Sequence, residues 1–306
     1  MPRRRHSARQ QSLLAWGSVV VALSVMGLKY GAYMLTGSVA LYSDALESLV
    51  NVATAIATLI ALKISAKPAD NQHPYGHHKA EYFSAVLEGV MIIVAALLIF
   101  HAAYMAFFTQ QVLEPSWWGM GVNALAGVAN GGWAMLLMRF GRKHRSPALV
   151  ADGRHLLSDV WTSVAVLLGL GLALATGLSW LDPLLAALVA FHILGSGARL
   201  VRESLDHLLD HAVDENVQAK INAILVAHST GALEIHALRT RVAGRATFIE
   251  FHLIVPSAMT VADAHLICDR LEEKLHAAVD GAQIQIHIEP EHERQHKGIA
   301  VLGLET

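Results

Sequence analysis

Residues 39–63 read VALYSDALESLVNVATAIATLIALK, and residues 147–163 read PALVADGRHLLSDVWTS. Both are apolar runs crossed by a polar stripe, Asp44-x-x-Glu47-x-x-x-Asn51 in the first and Asp152-x-x-His155-x-x-x-Asp159 in the second. Spacings of three and four put each stripe on a single helix face. Carboxylates and imidazole inside a bilayer are expensive and mark ion or proton pathways. The same side chains are ligands for divalent transition metals. A lone asparagine in a span is explained by an interhelical hydrogen bond. Two matched stripes of acids, histidine and asparagine read instead as an ion site, and so as a membrane protein that moves metal.

Composition agrees. The chain is 54% hydrophobic and 16% charged over 306 residues, too apolar for an ordinary soluble domain. The long apolar runs all lie in roughly the first 200 residues. The net charge of −2 offers no basic field for nucleic acid. A single cysteine, Cys268, excludes an intrachain disulfide and a cysteine-based zinc site. Eighteen histidines are an excess that metal binding, proton handling or surface drift could each explain.

Six segments have membrane length: about 13–35, 38–63, 83–108, 117–138, 147–177 and 180–199. The arginines at Arg3, Arg4 and Arg5 before the first run resemble a secretory leader. The run is long and is followed by five more, so it reads as a retained helix. Lysine and arginine cluster before span one, between spans two and three, between four and five, and after six. The connections around Thr36–Gly37, Thr109–Ser116 and Thr176–Leu181 have none. Both termini are therefore expected in the cytoplasm, and Trp117, Trp118 and Trp180 suit an outer interfacial belt. Spans two and five then run in opposite directions. Glu47 and Asn51 lie roughly 13–20 Å below one face and His155 and Asp159 about as far above the other, at 1.5 Å per residue. In a core about 30 Å thick both pairs reach the midplane.

Between spans two and three the chain reads PADNQHPYGHHKAE over residues 68–81. Asp70, His73 and His77 supply one oxygen and two nitrogen donors, a set suited to zinc or a neighbouring divalent ion. Pro74 and Gly76 favour a bent loop. The other reading of this segment is a solvated charged loop.

From about residue 208 the pattern changes. Residues 214–228 read as an amphipathic helix. Ile235–Arg241 and Thr247–Val255 alternate as strands joined through Gly244, Ala262–Val279 is helical, and Gln283–Glu289 alternates again. The order α-β-β-α-β predicts a small α/β domain with helices on one face of its sheet. His236, His252 and His287 fall on the polar faces of three strands, and Glu289 shares a face with His287. Adjacent strands would gather these four into one site.

With these motifs in hand, the chain resembles the cation diffusion facilitator family over nearly its whole length. The resemblance rests on TGSV at 36–39, SDALESL at 43–49, HPYGH at 73–77, His155-x-x-x-Asp159 and the C-terminal domain. It implies a six-helix homodimeric antiporter that exports zinc, or in some subfamilies manganese, iron, cobalt, nickel or cadmium, in exchange for protons. The family's transport site maps onto Glu47, Asn51, His155 and Asp159. At the span-two positions the family more often carries aspartate or histidine and then aspartate. Asn51 thus lacks a charge, which Asp44, one turn before Glu47, would offset. The family's loop site maps onto Asp70, His73 and His77. Its charge-interlock lysine maps onto Lys79, with Asp210 as the acidic partner. Its regulatory zinc cluster maps onto His236, His252, His287 and Glu289, with His265 contributed near the dimer interface.

The expected architecture is therefore a six-helix transmembrane domain over 1–207 and a cytoplasmic metal-binding and dimerisation domain over 208–306. The chain is expected in the bacterial inner membrane as a multi-pass homodimer, handling Zn2+ or a related divalent metal as substrate and regulatory ligand, with protons as the counter-ion. A metal-gated channel or a metal sensor is the alternative. An intramembrane metalloenzyme is disfavoured: the one His-Glu-x-x-His string, His292-Glu293-Arg294-Gln295-His296, lies near the C-terminus and outside every apolar segment.

Overall fold

The computed structural model describes residues 2–36, 39–109, 117–176, 180–295 and 299–300. The side chains of some further helical residues, Asp44 and Glu47 among them, lie outside the described residues. The chain divides into two compact units, Met1–Leu205 and Asp206–Thr306.

The first unit is built on six long helices: α1 (Pro2–Thr36), α2 (Val39–Ser65), α3 (Ala80–Thr109), α4 (Trp117–His144), α5 (Pro147–Thr176) and α6 (Leu181–Leu208). Five of the six overshoot their apolar runs, α1 most, since it starts at Pro2 rather than near residue 13, while α5 ends one residue inside its run. Hydropathy marks the bilayer core, whereas helical hydrogen bonding continues until a breaker stops it. By length and apolar content alone, two helices among the described residues qualify as spans, over Leu13–Gly31 and Ala80–Met105. The stripes themselves interrupt the apolar runs of α2 and α5. The expected turns around Thr36–Gly37, Thr109–Ser116 and Thr176–Leu181 fall largely outside the described residues.

Two apolar clusters organise this unit. Ala15, Ala55, Leu59, Leu137 and Leu149 join α1, α2, α4 and α5. Ala85, Ile92, Ala151, Ile193 and Leu200 join α3, α5 and α6. The helix that carries His155 and Asp159 belongs to both clusters. Small residues bring backbones close where helices cross. Gly153 of α5 lies against the carbonyl of Ala134 on α4, where a Cβ would come within 3.0 Å of oxygen. Gly89 of α3 and Gly197 of α6 face each other in the same way. Val20, Leu98, Phe108 and Phe191 are exposed on the outside, a surface suited to lipid tails.

The second unit contains α7 (Glu215–His228), β1 (Glu234–Ala243), β2 (Ala246–Val255), α8 (Val261–Ala278) and β3 (Ala282–Pro290), then a 3-10 turn at Glu291–Glu293 and β4 (Ile299–Ala300). The sheet order is β3-β2-β1-β4. The α-β-β-α-β series appears as read, and β4 is an addition. Strands β1 and β2 are antiparallel, and β2 and β3 parallel. Ile221 and Leu225 of α7, and Ile267, Leu271 and Leu275 of α8, pack on Ile235, Ile249, Phe251 and Leu253. Because side chains alternate along a strand, the opposite face is left to His236, His252 and His287. The register places these three side by side. A bulge follows His236, where the pairing shifts before Arg239 and Ala237 takes φ 51°. Cys268 is buried and free in the helix-side core, and burial pushes its thiol above the ordinary value.

The turn into β3 depends on Gly281, whose φ is +70°. A Cβ there would sit 2.1 Å from the Arg245 carbonyl oxygen. We therefore expect Gly281→Ala to destabilise the second unit by roughly 2–3 kcal/mol. Chemical denaturation of the full-length protein, followed by the strand signal in circular dichroism, should show a lowered midpoint. An unchanged midpoint would refute the steric reading.

Candidate metal centres

Three groups of donors come together, each positioned by a different kind of local structure.

The first is inside the helical unit. Asn51 of α2 donates from Nδ2 to Asp159 Oδ2 of α5 at 2.5 Å. Both are buried, and His155 lies one turn before Asp159 on the same helix face. Both ring nitrogens of His155 and Oδ1 of Asn51 lack a hydrogen-bond partner. An imidazole 2% exposed with neither nitrogen satisfied carries a desolvation cost of about 1–3 kcal/mol per group. Buried nitrogen and oxygen atoms without partners call for an explanation, and a bound cation is one. The expected ligands Asp44 and Glu47 share α2 with Asn51, but their side chains lie outside the described residues.

Around this group run carboxylate–hydroxyl pairs, of which the stripes revealed only Asp152. Asp152 Oδ2 accepts from Ser18 Oγ at 2.7 Å, and Trp133 Nε1 donates to the same hydroxyl at 2.8 Å. Glu88 of α3 accepts from Thr58 of α2 and from Ser84. Glu81 accepts from Ser65 at 2.8 Å and from Ser146 at 2.5 Å. Glu81 and Glu88 are fully buried. The signal for Glu88 was present in the sequence as a lone charge within an apolar span.

The second group is the loop between α2 and α3. Asp70 Oδ1 accepts the backbone N–H groups of Gln72 at 3.0 Å and His73 at 2.7 Å, an Asx-type turn that fixes the bend. Gly76 continues it with φ 85°. The turn sets His73 Nδ1 3.2 Å from Asp70 Oδ1 and His77 Nε2 3.4 Å from Asp70 Oδ2, with the two rings 4.3 Å apart. The His73 amide holds the Asp70 carboxyl below the usual carboxylate range. Asp70 is therefore ionised at neutral pH and needs no deprotonation to act as a ligand.

The third group is on the open face of the sheet. Glu289 Oε2 approaches His236 Nε2 at 3.3 Å, and its Oε1 approaches His252 Nδ1 at 2.8 Å. Donor atoms of the three residues lie within 4.8 Å of one another. None of these contacts has hydrogen-bond geometry: His236 Nε2, His252 Nδ1 and Glu289 Oε2 are buried without a partner. Donor atoms this close, with several left without a hydrogen bond, fit a metal ion. His287 stands beside them, its ring 5.0 Å from that of His252 and its Nε2 3.7 Å from Glu289 Oε1. His265 is on exposed α8, in the helix layer, near Asp269 at 3.6 Å. Within one chain it does not join the cluster, because the sheet separates the two faces. Glu234, also missed in the sequence, is buried 3.7 Å from His236 Nδ1 and pairs with Arg294 at 3.4 Å. Asp210, expected as the partner of Lys79, pairs with Arg241 at 3.2 Å.

Residues 15–209 match the cation efflux transmembrane domain, and residues 213–291 match the cytoplasmic domain of cation efflux proteins. The chain belongs to the cation diffusion facilitator family. It is thus a membrane transporter that moves metal cations outward, not an enzyme. An uncharacterized transporter of Synechocystis sp. is 42% identical over 283 residues, covering 92% of this chain and 90% of its own. The cation-efflux pump FieF of Pectobacterium atrosepticum is 35% identical over 289 residues, covering 93% and 94%. A solved structure of the zinc form of the transporter CzrB is 44% identical, covering 28% of this chain and 98% of its own, with a TM-score of 0.27.

Glu289 touches both histidines of the sheet cluster, so its loss removes the oxygen and the bridge together. Glu289→Ala should weaken zinc binding to that cluster by about 10–100-fold while leaving zinc flux at saturating metal largely intact. Calorimetric zinc titration of the full-length protein, paired with proteoliposome flux, checks both halves. Collapse of flux in a folded variant would place the cluster in the transport pathway instead.

Proposed function

We propose that the protein is a proton-coupled antiporter that exports zinc from the cytoplasm. It works as a six-span homodimer of the inner membrane with both termini cytoplasmic. The observation that carries this reading is His155, buried with both ring nitrogens orphaned beside the Asn51–Asp159 pair. Imidazole nitrogen with carboxylate and amide oxygen is a borderline donor set that suits zinc, with iron, cobalt, manganese and cadmium as neighbours in the same chemistry. A ligand must be deprotonated to hold metal, so proton and metal compete for the same atoms, and exchange follows from one site alternately exposed to the two sides. Basic residues at the cytoplasmic ends support the orientation. The histidine-rich sheet cluster, in a domain of its own, suits sensing of cytoplasmic metal and tightening of the dimer.

Zinc uptake into proteoliposomes, with and without a proton gradient and with iron, cobalt, manganese and cadmium as competitors, tests the whole reading. Flux indifferent to the gradient would favour a channel. Asp159→Ala and His155→Ala should each abolish flux while the purified protein remains a folded dimer. Near-normal uptake by either would remove that residue from the site.

Asn51→Asp should act in the opposite direction. It places a second carboxylate against Asp159, a pair that only a cation or a proton neutralises. Zinc affinity should rise by roughly tenfold, since ligand charge count sets affinity at such sites, and export should become steeper with pH. Parallel zinc titrations and pH profiles of wild type and variant decide this. Identical curves would reduce Asn51 to a packing residue.

A further inference from the structure

The open face of the sheet in the second unit carries two rows of side chains. The register places His236, His252 and His287 in one row and Glu234, Ile254 and Glu289 in the next, two residues along each strand. The second row thus has an acid on each of its outer strands and the fully buried Ile254 between them. Both acids meet the same imidazole, at different nitrogens. Glu289 Oε2 lies 3.3 Å from His236 Nε2, and Glu234 Oε1 lies 3.7 Å from His236 Nδ1. Glu289 is accounted for by the donor cluster it shares with His236 and His252. Glu234 is not, although it is a carboxylate only 3% exposed, and burying such a charge needs compensation. Its Oε2 lies 3.4 Å from Nε of Arg294, which follows the 3-10 turn at Glu291–Glu293. The same stretch of chain returns to β1, where Ala300 of β4 pairs with Glu234.

We propose that Glu234 is a positioning residue for the sheet cluster: held by Arg294, it orients the His236 ring and fixes which nitrogen is offered to a metal. An ionised carboxylate accepts hydrogen bonds and donates none. Set against Nδ1, it favours the tautomer with the proton on that nitrogen. The lone pair then stands on Nε2, the nitrogen beside Glu289. Both ring nitrogens of His236 are buried without a hydrogen bond, so no hydrogen bond from another described residue makes that choice. Glu234 acts on the metal through the ring and is not itself a ligand. Arg294 balances the carboxylate and anchors its far oxygen, so its own effect passes through Glu234. The affinity of the cluster is thereby tied to the chain beyond the last ligand, Glu289. This inference rests on the reading of the sheet cluster as a zinc site and adds what holds its first histidine ready.

The test is calorimetric zinc titration of the full-length protein in detergent, with Glu289→Ala alongside to identify the binding step that belongs to the cluster. Glu234→Gln keeps the shape of the side chain and removes its charge. It should weaken that step about tenfold. Arg294→Ala removes a half-exposed residue, which keeps the test open if Glu234→Gln does not fold. It should weaken the same step by a smaller factor. The double variant should lose no more than Glu234→Gln alone, because Arg294 acts through Glu234. Wild-type zinc affinity in either folded single variant would overturn the proposal, as would additive losses in the double variant. Cobalt(II) absorption separates positioning from ligation. At saturating cobalt the band of Glu234→Gln should match wild type, since the ligand atoms are the same. A band altered as in Glu289→Ala would make Glu234 a ligand and overturn the positioning role. If Glu289→Ala itself binds zinc like wild type, the cluster is no zinc site and the proposal falls with it. A weakened Glu289→Ala beside an unaltered Glu234→Gln sinks only the positioning role.

Discussion

The hydrogen bond from Asn51 to Asp159 ties α2 to α5 at a level about twelve residues from the start of each helix, and the rest of the helical unit is built to keep it dry. A carboxylate in such a place needs donors around it or a cation upon it. Asn51 supplies one donor. The two apolar clusters, both of which include α5, exclude water from the remainder. The glycines at the α4–α5 and α3–α6 crossings follow from the same need, since closely packed backbones leave no room for solvent beside the acids. Asn51 Oδ1 and both ring nitrogens of His155 remain unsatisfied, and these are the atoms that the proposed ion would engage.

The same solution recurs down the unit. Ser18 meets Asp152, Thr58 and Ser84 meet Glu88, and Ser65 and Ser146 meet Glu81. Hydroxyls stabilise a carboxylate without neutralising it, unlike lysine or arginine, whose ion pair would hold the charge permanently. Each of these acids therefore keeps the charge that a lysine or arginine partner would cancel. The arrangement costs stability at each position, and the packing clusters offset it.

How much of this was legible in the sequence follows from the range of each interaction. The stripes were legible because a helix converts spacings of three and four into one face without help from elsewhere. The strands of the second unit, and their histidine row, were legible because alternation fixes which side chains share a face. The register His236–His252–His287 then follows from the β1–β2 turn and the β2–β3 crossover. The loop of Asp70, His73 and His77 was legible because its Asx turn is local. Glu88 with Thr58, Ser18 with Asp152, and Glu234 with His236 and Arg294 were not, because each partner is supplied by a different element. The bulge at Ala237 was invisible for a related reason: nothing in an alanine signals a positive φ, which only the surrounding pairing imposes. Most helix ends lie beyond the expected apolar runs, as at Pro2 of α1 and Leu208 of α6, because hydropathy reports solvent and not backbone continuity.

The three donor groups differ in how firmly the fold commits them, and the difference follows function. The loop group is largely exposed and is positioned by a turn that forms whether or not metal is present, so it can sample the solution. The sheet group is set on three paired strands and backed by a packed core, with Glu234 and Arg294 behind His236. Such a site changes little on binding and is suited to report metal through the interface of the domain. The membrane group and the sheet group both keep orphaned buried atoms, on Asn51 and His155 in the one and on His236, His252 and Glu289 in the other. For the transport site proposed above this state is apt, because a group content when empty would gain little from an ion, and one that held the ion too well would not release it. On the proposed pathway, the orphaned nitrogens of His155 are the cost of keeping ion binding reversible, and the neutral amide at position 51 would temper the negative charge that holds a divalent ion there.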